Sequence, residues 1–308
     1  MPDPGNDRGP TPEFDLQAYL KVKRTAVNAF LENLLQDLQA PPRIVAAMHY
    51  SLTAGGKRLR PILCLAAADA VGGRSEDVLY AGCALELIHT YSLIHDDLPV
   101  MDDDDLRRGK PTCHVAFDEA TALLAGDALL TLAFEVLSQE RSRSRAPDAE
   151  RLRVIHMVST AAGYGGMIGG QMLDMAAEGR SIALPDLERM HRLKTGAIIE
   201  AAVGVGAILG GGDSIQIQQL KRYAGNIGLA FQIMDDILNV EGDPNLLGKA
   251  VGTDQDRQKS TYPSLLGLDD SKALAAEIVD NALMAIELFD TKADPLRILA
   301  RYIIERRR

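Results

Sequence analysis

From Leu20 through Val27, Phe30, Leu31, Leu34, Leu35 and Leu38 the apolar residues of this chain return at three- and four-residue steps. That is the period of a helix with one face turned inward, and Pro41-Pro42 ends the run. Apolar stretches rich in Ala and Leu recur at 62–71, 77–95, 117–138, 151–162, 187–210, 214–240 and 271–289. Breaking residues separate them: Gly72-Gly73, Pro99, Gly109 to Pro111, the charged segment 141–150, Gly210 to Gly212, and Asp243-Pro244. Strand-like alternation is scarce and no internal repeat is evident. The pattern predicts an all-α bundle in a single domain over residues 14–308, with 141–150 as a surface loop and 1–13 as a disordered N-terminal tail.

Composition narrows the function classes. With 46% hydrophobic and 25% charged residues the 308-residue chain is expected to fold rather than remain disordered. A net charge of −10 is the opposite of a nucleic-acid footprint. Cys64, Cys83 and Cys113 have no CxxC spacing and sit in apolar stretches, so they read as buried thiols of a reducing, cytoplasmic compartment rather than a metal site. The apolar run 196–212 carries Glu200 and many glycines and falls short of the roughly 20 apolar residues of a bilayer helix, so no membrane span is expected. Its small side chains suit close packing inside a bundle. The first residues lack the basic start and apolar core of a secretory signal, and four prolines in the first twelve mark them as a tail.

The candidate chemistry lies in charged residues that interrupt apolar runs. Asp96, Asp97 and Asp102 to Asp105 put six carboxylates within ten residues, directly after the apolar run ending at Ile94. A solvated acidic face has the same pattern. Three features favour a site instead: the preceding helix reads as buried, Pro99 bends the run, and Arg107-Arg108 follow at once. Carboxylate oxygens at this density suit Mg2+. In Phe231-Gln232-Ile233-Met234-Asp235-Asp236-Ile237-Leu238-Asn239, two further aspartates interrupt an otherwise apolar helix. Burying unpaired carboxylates costs several kcal/mol, so they need either basic partners or a metal shared with the first cluster. Facing clusters would cage divalent cations, and Mg2+ shares its coordination with substrate phosphates, which makes a diphosphate the natural ligand. Gly55-Gly56-Lys57-Arg58-Leu59-Arg60-Pro61 supplies cations just before a helix start, where anions are favoured; taken alone it could equally be a surface turn.

Together these segments resemble the trans-prenyl diphosphate synthases. Leu93 to Thr112 looks like that family's first aspartate-rich motif, DDxxxxD followed by RRGxP, and Phe231 to Asp236 like the second. Gly55 to Pro61, Gly126-Asp127, Gly170 to Asp174, Lys194-Thr195-Gly196 and Lys259 to Pro263 match in order and spacing, from about residue 25 to the C-terminus. Within the family the chain is most similar to bacterial farnesyl diphosphate synthases. The resemblance implies antiparallel helices around a central cavity, the isoprenoid synthase type of fold, and a homodimer. It further implies three Mg2+ ions, held by Asp96, Asp97 and Asp102 of the first motif and Asp235 of the second, bridging the diphosphate of an allylic substrate. Lys194, Lys249, Lys259 and Arg107 would neutralise that diphosphate, and Thr195 and Gln232 would direct dipoles at the allylic carbon. Gly56, Lys57, Arg60, His89 and Arg108 would bind the diphosphate of isopentenyl diphosphate. Tyr91 and Ser92, five and four residues before the first aspartate, would line the wall that sets product length. A ring about 7 Å below the metal site leaves room for a C15 tail, so farnesyl diphosphate is expected, made by way of geranyl diphosphate, with geranylgeranyl diphosphate as the alternative.

Two points of spacing stand out. Asp96 and Asp102 are six apart and would face different sides of an ideal helix, so a bulge at Pro99 is expected. The second motif ends in Asn239 where the family pattern has a third aspartate, and an amide brings no charge. That departure leaves open a non-catalytic subunit of a heteromeric synthase, although such a subunit would be expected to lose the first motif too. A terpene cyclase would use the aspartates but has no need of Lys57, Arg60 and His89. The basic end, Arg306 to Arg308, is read as solvated.

Overall fold

A computed structural model describes residues 14–139, 146–241 and 259–305. Lys249, Arg306 to Arg308, the N-terminal residues 1–13 and residues 141–145 of the 141–150 segment lie outside the described residues. The helices run α1 (Leu16–Gln36), α2 (Pro42–Leu52), α3 (Leu59–Ala70), α4 (Ser75–Asp96), the short α5 (Cys113–Ala116), α6 (Glu119–Ser138), α7 (Asp148–Ala162), α8 (Met167–Ala177) and α9 (Leu184–His191). A π-helical turn at Arg192–Gly196 leads into α10 (Ala197–Leu209), followed by α11 (Ser214–Glu241), α12 (Tyr262–Leu266), α13 (Leu268–Ala285) and α14 (Asp294–Glu305). The all-α expectation holds for the described residues apart from a hairpin of β1 (Leu106–Arg107) and β2 (Lys110–Pro111).

Local signals account for the element ends. Asp15 caps α1 by accepting from the Ala18 N–H at 2.9 Å, and Asp118 caps α6 in the same way through Thr121. Pro42 serves two roles: it stops the first run and opens α2 at a position where a missing N–H costs nothing. Five helices, α2, the short α5 and α12, α8 and α14, are not anticipated by the apolar pattern. In α8 the sequence MIGGQMLDMAA has too many glycines to carry a clear period, and its place is set by the helices it packs against.

The core is organised about α10, whose residues Ile198, Ile199 and Ala201 to Ile208 are buried among α3, α4, α7 and α11. This is the glycine-rich run of the sequence, and it is an internal helix of the bundle. α4 packs on α3 and α6, and α11 on α10 and α13, so the C-terminal end of α4 and the second half of α11 are held by one shared core. Among the described residues α6 is long and apolar enough to cross a membrane by length and composition. Its Ala122, Ala125, Leu129, Ala133 and Val136 are buried within the bundle, as in a core helix, while Leu123 and Leu124 stay exposed.

Candidate active site

The first aspartate motif does not form by bulging a helix. α4 ends at Asp96, with Asp97 as its C-cap, and the chain folds back through successive turns: Leu98 N–H donates to His95 O, Met101 N–H to Leu98 O, and Asp102 N–H to Asp96 O at 2.8 Å. The two extra residues are therefore accommodated outside the helix, and a backbone hydrogen bond ties Asp102 directly to Asp96. Pro99 is exposed in this turn, and Asp103 takes a left-handed φ of 54° that lets the chain leave it.

The chain then forms a hairpin that aims two arginines. Arg107 pairs with Lys110, leaving Arg108 and Gly109 as a two-residue loop with φ of 55° and 74°, the geometry of a tight turn matched to strand twist. Arg107 turns inward onto Asp97, with its Nε 2.7 and 2.9 Å from the two carboxylate oxygens and an Nη2–Oδ1 contact of 2.5 Å. Asp97 is buried to 3% exposure, and both of its oxygens hold Arg107 in place. Arg108 reaches the other way and donates to the carbonyl of Gly55. A side chain at Gly56, where φ is +131°, would meet the Arg108 guanidinium at 2.6 Å.

The glycine-basic loop is split between structure and site. Arg58, left without a role by the sequence reading, is buried and donates to Asn28 Oδ1 (2.9 Å), Glu86 Oε1 (2.9 Å) and Leu52 O (2.5 Å). It fastens the start of α3 to α1, α2 and α4. Lys57 remains exposed. Arg60, on the first turn of α3, is half-buried, and its Nε is buried with no hydrogen-bond partner among the described residues. His89 lies close by on α4. Burial, together with the charges of Arg60, Arg108, Arg107 and Arg58, holds its imidazole well below its ordinary value, so it is neutral at pH 7. The cations of this region outnumber its carboxylates, which is the electrostatic signature of an anion site.

On the other side, burial lifts the Asp96 carboxyl from 3.8 to about 6, with Lys194 and Arg107 pulling it down and Asp102 and Asp97 pushing it further up. Lys194 comes from the π turn. Its Nζ is 2.6 Å from Asp174 Oδ2 on α8, and Lys259 Nζ sits 3.0 Å from the same oxygen. Asp174, the last residue of the Gly170 to Asp174 motif and given no role by the sequence reading, is thus a member of the site. Close packing delivers the π turn to this point: a Cβ at Gly170 would collide with the Lys194 backbone, and one at Gly228 would lie 3.1 Å from Gly196 Cα. A π turn widens the helix locally and is frequent at functional positions.

The second motif presents Gln232 and Asp235 on one face of α11, three residues apart. Asp235 lies in the field of Arg60, and Lys259 in that of Asp102, so the two motifs share one charged region instead of lying on opposite sides of the molecule. Asp236 and Asn239 are buried, and Asp236 accepts the backbone N–H of Tyr262 at 2.9 Å. Thr195 is half-buried beside Lys194. Tyr91 is buried at 5% exposure with its ring edge-on to His95, centroids 5.5 Å apart, and Ser92 donates back to His89 O.

The residues fit Mg2+. Burial, more than the neighbouring Asp102 and Asp97, makes Asp96 hold its proton more tightly than a free carboxyl, and a cation bound there would favour the charged form. Among the described residues no three His, Cys, Asp or Glu side chains converge into a closed cation site.

Comparison with known proteins points the same way. The polyprenyl synthetase family model matches residues 41–291. The chain is 44% identical to the farnesyl diphosphate synthase of Geobacillus stearothermophilus, over 96% of this chain and 99% of that one. It is 48% identical to the farnesyl diphosphate synthase of Micrococcus luteus, over 94% and 99%. The crystal structure of a geranylgeranyl pyrophosphate synthetase from Pyrococcus horikoshii superposes with a TM-score of 0.85 at 31% identity, covering 94% of this chain and 98% of that chain.

Proposed function

The chain belongs to the polyprenyl synthetase family, and from that premise we infer that it is a prenyltransferase that makes farnesyl diphosphate. It condenses dimethylallyl and then geranyl diphosphate with isopentenyl diphosphate. The observation that carries this reading is the pairing of two unlike charge sites: a carboxylate-rich one at Asp96 and Asp102, and a guanidinium-rich one at Arg60, His89 and Arg108. One suits a metal-bound diphosphate, the other a second diphosphate bound by protein cations alone.

In the mechanism, Asp96, Asp102 and Asp235 would hold three Mg2+ ions, whose chemistry is to offset the charge that grows on the departing diphosphate. Lys194 and Lys259, fixed by Asp174, bind that same diphosphate, with Lys249 as a further candidate. Arg107, set by Asp97, adds its charge from the side. Gly56, Lys57, Arg60 and Arg108 bind the diphosphate of isopentenyl diphosphate, and neutral His89 gives it a hydrogen bond. Thr195 and Gln232 direct their oxygen dipoles at the allylic carbon as the C1–O bond breaks and a cation forms. The double bond of isopentenyl diphosphate then attacks C1, and the C2 proton leaves to the released diphosphate, so no side chain need act as base. The apolar wall carrying Tyr91 excludes water that would otherwise quench the cation.

Buried Tyr91 supports a C15 product over the geranylgeranyl alternative. Exposed Leu123 and Leu124 on α6, with Val115 shortly before them in the chain, support a homodimer, to be measured by light scattering on a sizing column. Buried, unpaired Cys64, Cys83 and Cys113 support a cytoplasmic location. The test is incubation of the purified chain alone with Mg2+, dimethylallyl diphosphate and isopentenyl diphosphate, followed by chromatographic sizing. A C15 product is expected. A C20 product would transfer the reading to geranylgeranyl diphosphate, and absence of product would favour a non-catalytic subunit.

A further inference from the structure

His191 closes α9 immediately before the π turn, and its buried ring stacks on Tyr262 with centroids 5.8 Å apart and planes inclined by 18°. The two ring nitrogens face different partners. Nδ1 is 3.2 Å from Gln232 Nε2, while Nε2 looks at Asp236 Oδ2 across 3.7 Å, near enough for charge–dipole attraction though short of a hydrogen bond. Asp236 Oδ2 already accepts the Tyr262 N–H, so it is an acceptor. A neutral imidazole carries one N–H. Placing it on Nδ1 would set the bare Nε2 lone pair against the Asp236 carboxylate in a buried pocket; placing it on Nε2 sets a donor there. In the neutral ring the carboxylate therefore selects the Nε2–H tautomer and leaves Nδ1 as an acceptor, in keeping with the Gln232 Nε2 atom that faces it. Only the NH2 end of the Gln232 amide can satisfy that acceptor, which turns the carbonyl oxygen away from His191.

We propose that His191 is a positioning residue that fixes which end of the Gln232 amide meets the reacting carbon. With Nδ1 holding the NH2 group, the carbonyl oxygen faces the reacting side of α11, the side that also carries Asp235. An allylic cation forming there meets the negative end of the dipole. With the amide reversed, the cation would meet the positive end, in a dry site where such terms are large. The inference rests on the proposed role of Gln232 at the allylic carbon, and it adds the group that decides the amide's direction.

The test is a double-mutant cycle on the full chain with Mg2+ and both substrates. His191→Phe keeps a ring for Tyr262 but deletes the acceptor, and kcat should fall at least about tenfold. KM for each diphosphate should stay within about threefold, since uniform binding is untouched. His191→Asn offers an acceptor where Nδ1 stood and should recover most of the rate. Gln232→Leu should be slow, and adding His191→Phe to it should slow it no further, because the two act as one unit. Independent losses that multiply in the double variant would overturn the proposal, as would a normal rate for His191→Phe beside a slow Gln232→Leu. A normal rate for Gln232→Leu would remove the reading of Gln232 and this inference together. Should the ring variants fold poorly, 15N spectra of the wild-type protein read the tautomer directly. The chain has six histidines, and the resonance lost in His191→Asn assigns it. A protonated Nε2 with bare Nδ1 is expected, and the opposite tautomer would refute the proposal.

Discussion

Replacing Asp96 by Asn should stabilise the metal-free protein while removing its activity. The carboxyl is partly buried, and burial with the nearby Asp102 and Asp97 charges outweighs Lys194 and Arg107. The rise from 3.8 to about 6, at about 1.4 kcal/mol for each tenfold change in proton affinity, corresponds to about 3 kcal/mol of destabilisation by the charged form. The sign follows from proton counts. Between pH 3.8 and about 6 the folded state holds the proton that the unfolded chain has released, so stability falls as pH rises through that window and the penalty is complete above it. Asn has no charge to bury. The variant should therefore exceed the wild type by about 3 kcal/mol at pH 8 and by about half that at pH 5. Urea denaturation in EDTA at the two pH values measures both differences, and comparing the two proteins cancels every other titrating group. Turnover should drop by at least about a thousandfold. Adding Mg2+ with inorganic diphosphate should restore stability to the wild type and do little for the variant. A variant no more stable than wild type at pH 8, or a difference indifferent to pH, would refute the reasoning.

Other perturbations separate the remaining roles. Tyr91→Ala should lengthen the products beyond C15 on chromatography and cost about 2–4 kcal/mol of stability, since the ring is buried; an unchanged C15 product would count against the wall. Asn239→Asp should alter the Mg2+ concentration needed for half-maximal rate by no more than about threefold, because an amide can serve through its oxygen or a bridging water; full activity gained from an inactive parent would contradict this. Asp174→Asn should cost about 3 kcal/mol at pH 7, because two lysines would keep their burial and lose their shared counter-charge. Although burial works against it, the charges of Lys194 and Lys259 hold the Asp174 carboxyl below 3.8, so the wild type's advantage should persist above that pH and fade only below it, as read from urea midpoints.

Periodicity made most of the bundle legible, because the helices it anticipated bury one consistent face. It could not anticipate α8, where glycines erase the period and contacts with the π turn decide, nor the break at Arg192–Gly196 inside what reads as one long helix from 187 to 210. The carboxylate motifs and the basic loop were legible as chemistry because charges interrupt apolar runs. Their pairing was not. Arg58 and Glu86 are separated by 28 residues, and Lys259 and Asp174 by 85, and no spacing rule joins partners across such distances. The same limit applies at Asp97: its place in the motif is legible, whereas the hairpin that brings Arg107 onto it is not. His191 was invisible for another reason. It lies beside the Lys194-Thr195-Gly196 motif as an ordinary helix residue, and only the approach of α11 gives its two nitrogens different partners.

These pairings have a common logic. Arg107 is held by Asp97, Lys194 and Lys259 by Asp174, and Arg58 by Glu86, so several cations at or beside the site are set in place before any ligand arrives. Dipoles and charges fixed in advance need not reorganise as charge develops, which is where enzymes gain most of their electrostatic advantage. Two places are left out of balance. At Asp96 a carboxylate is buried beside Asp102 and Asp97 with only Lys194 and Arg107 to offset them, and at His89 a buried imidazole is surrounded by guanidiniums. The first imbalance cannot be relieved by a diphosphate alone, which would add to it, nor the second by a cation. On the proposed mechanism, metal and allylic diphosphate would bind the Asp96 side with mutual assistance, each raising the affinity of the other by the same factor. In the proposed mechanism the Arg60 side would take its diphosphate without metal, and that difference in charge would distinguish the ionising substrate from the attacking one.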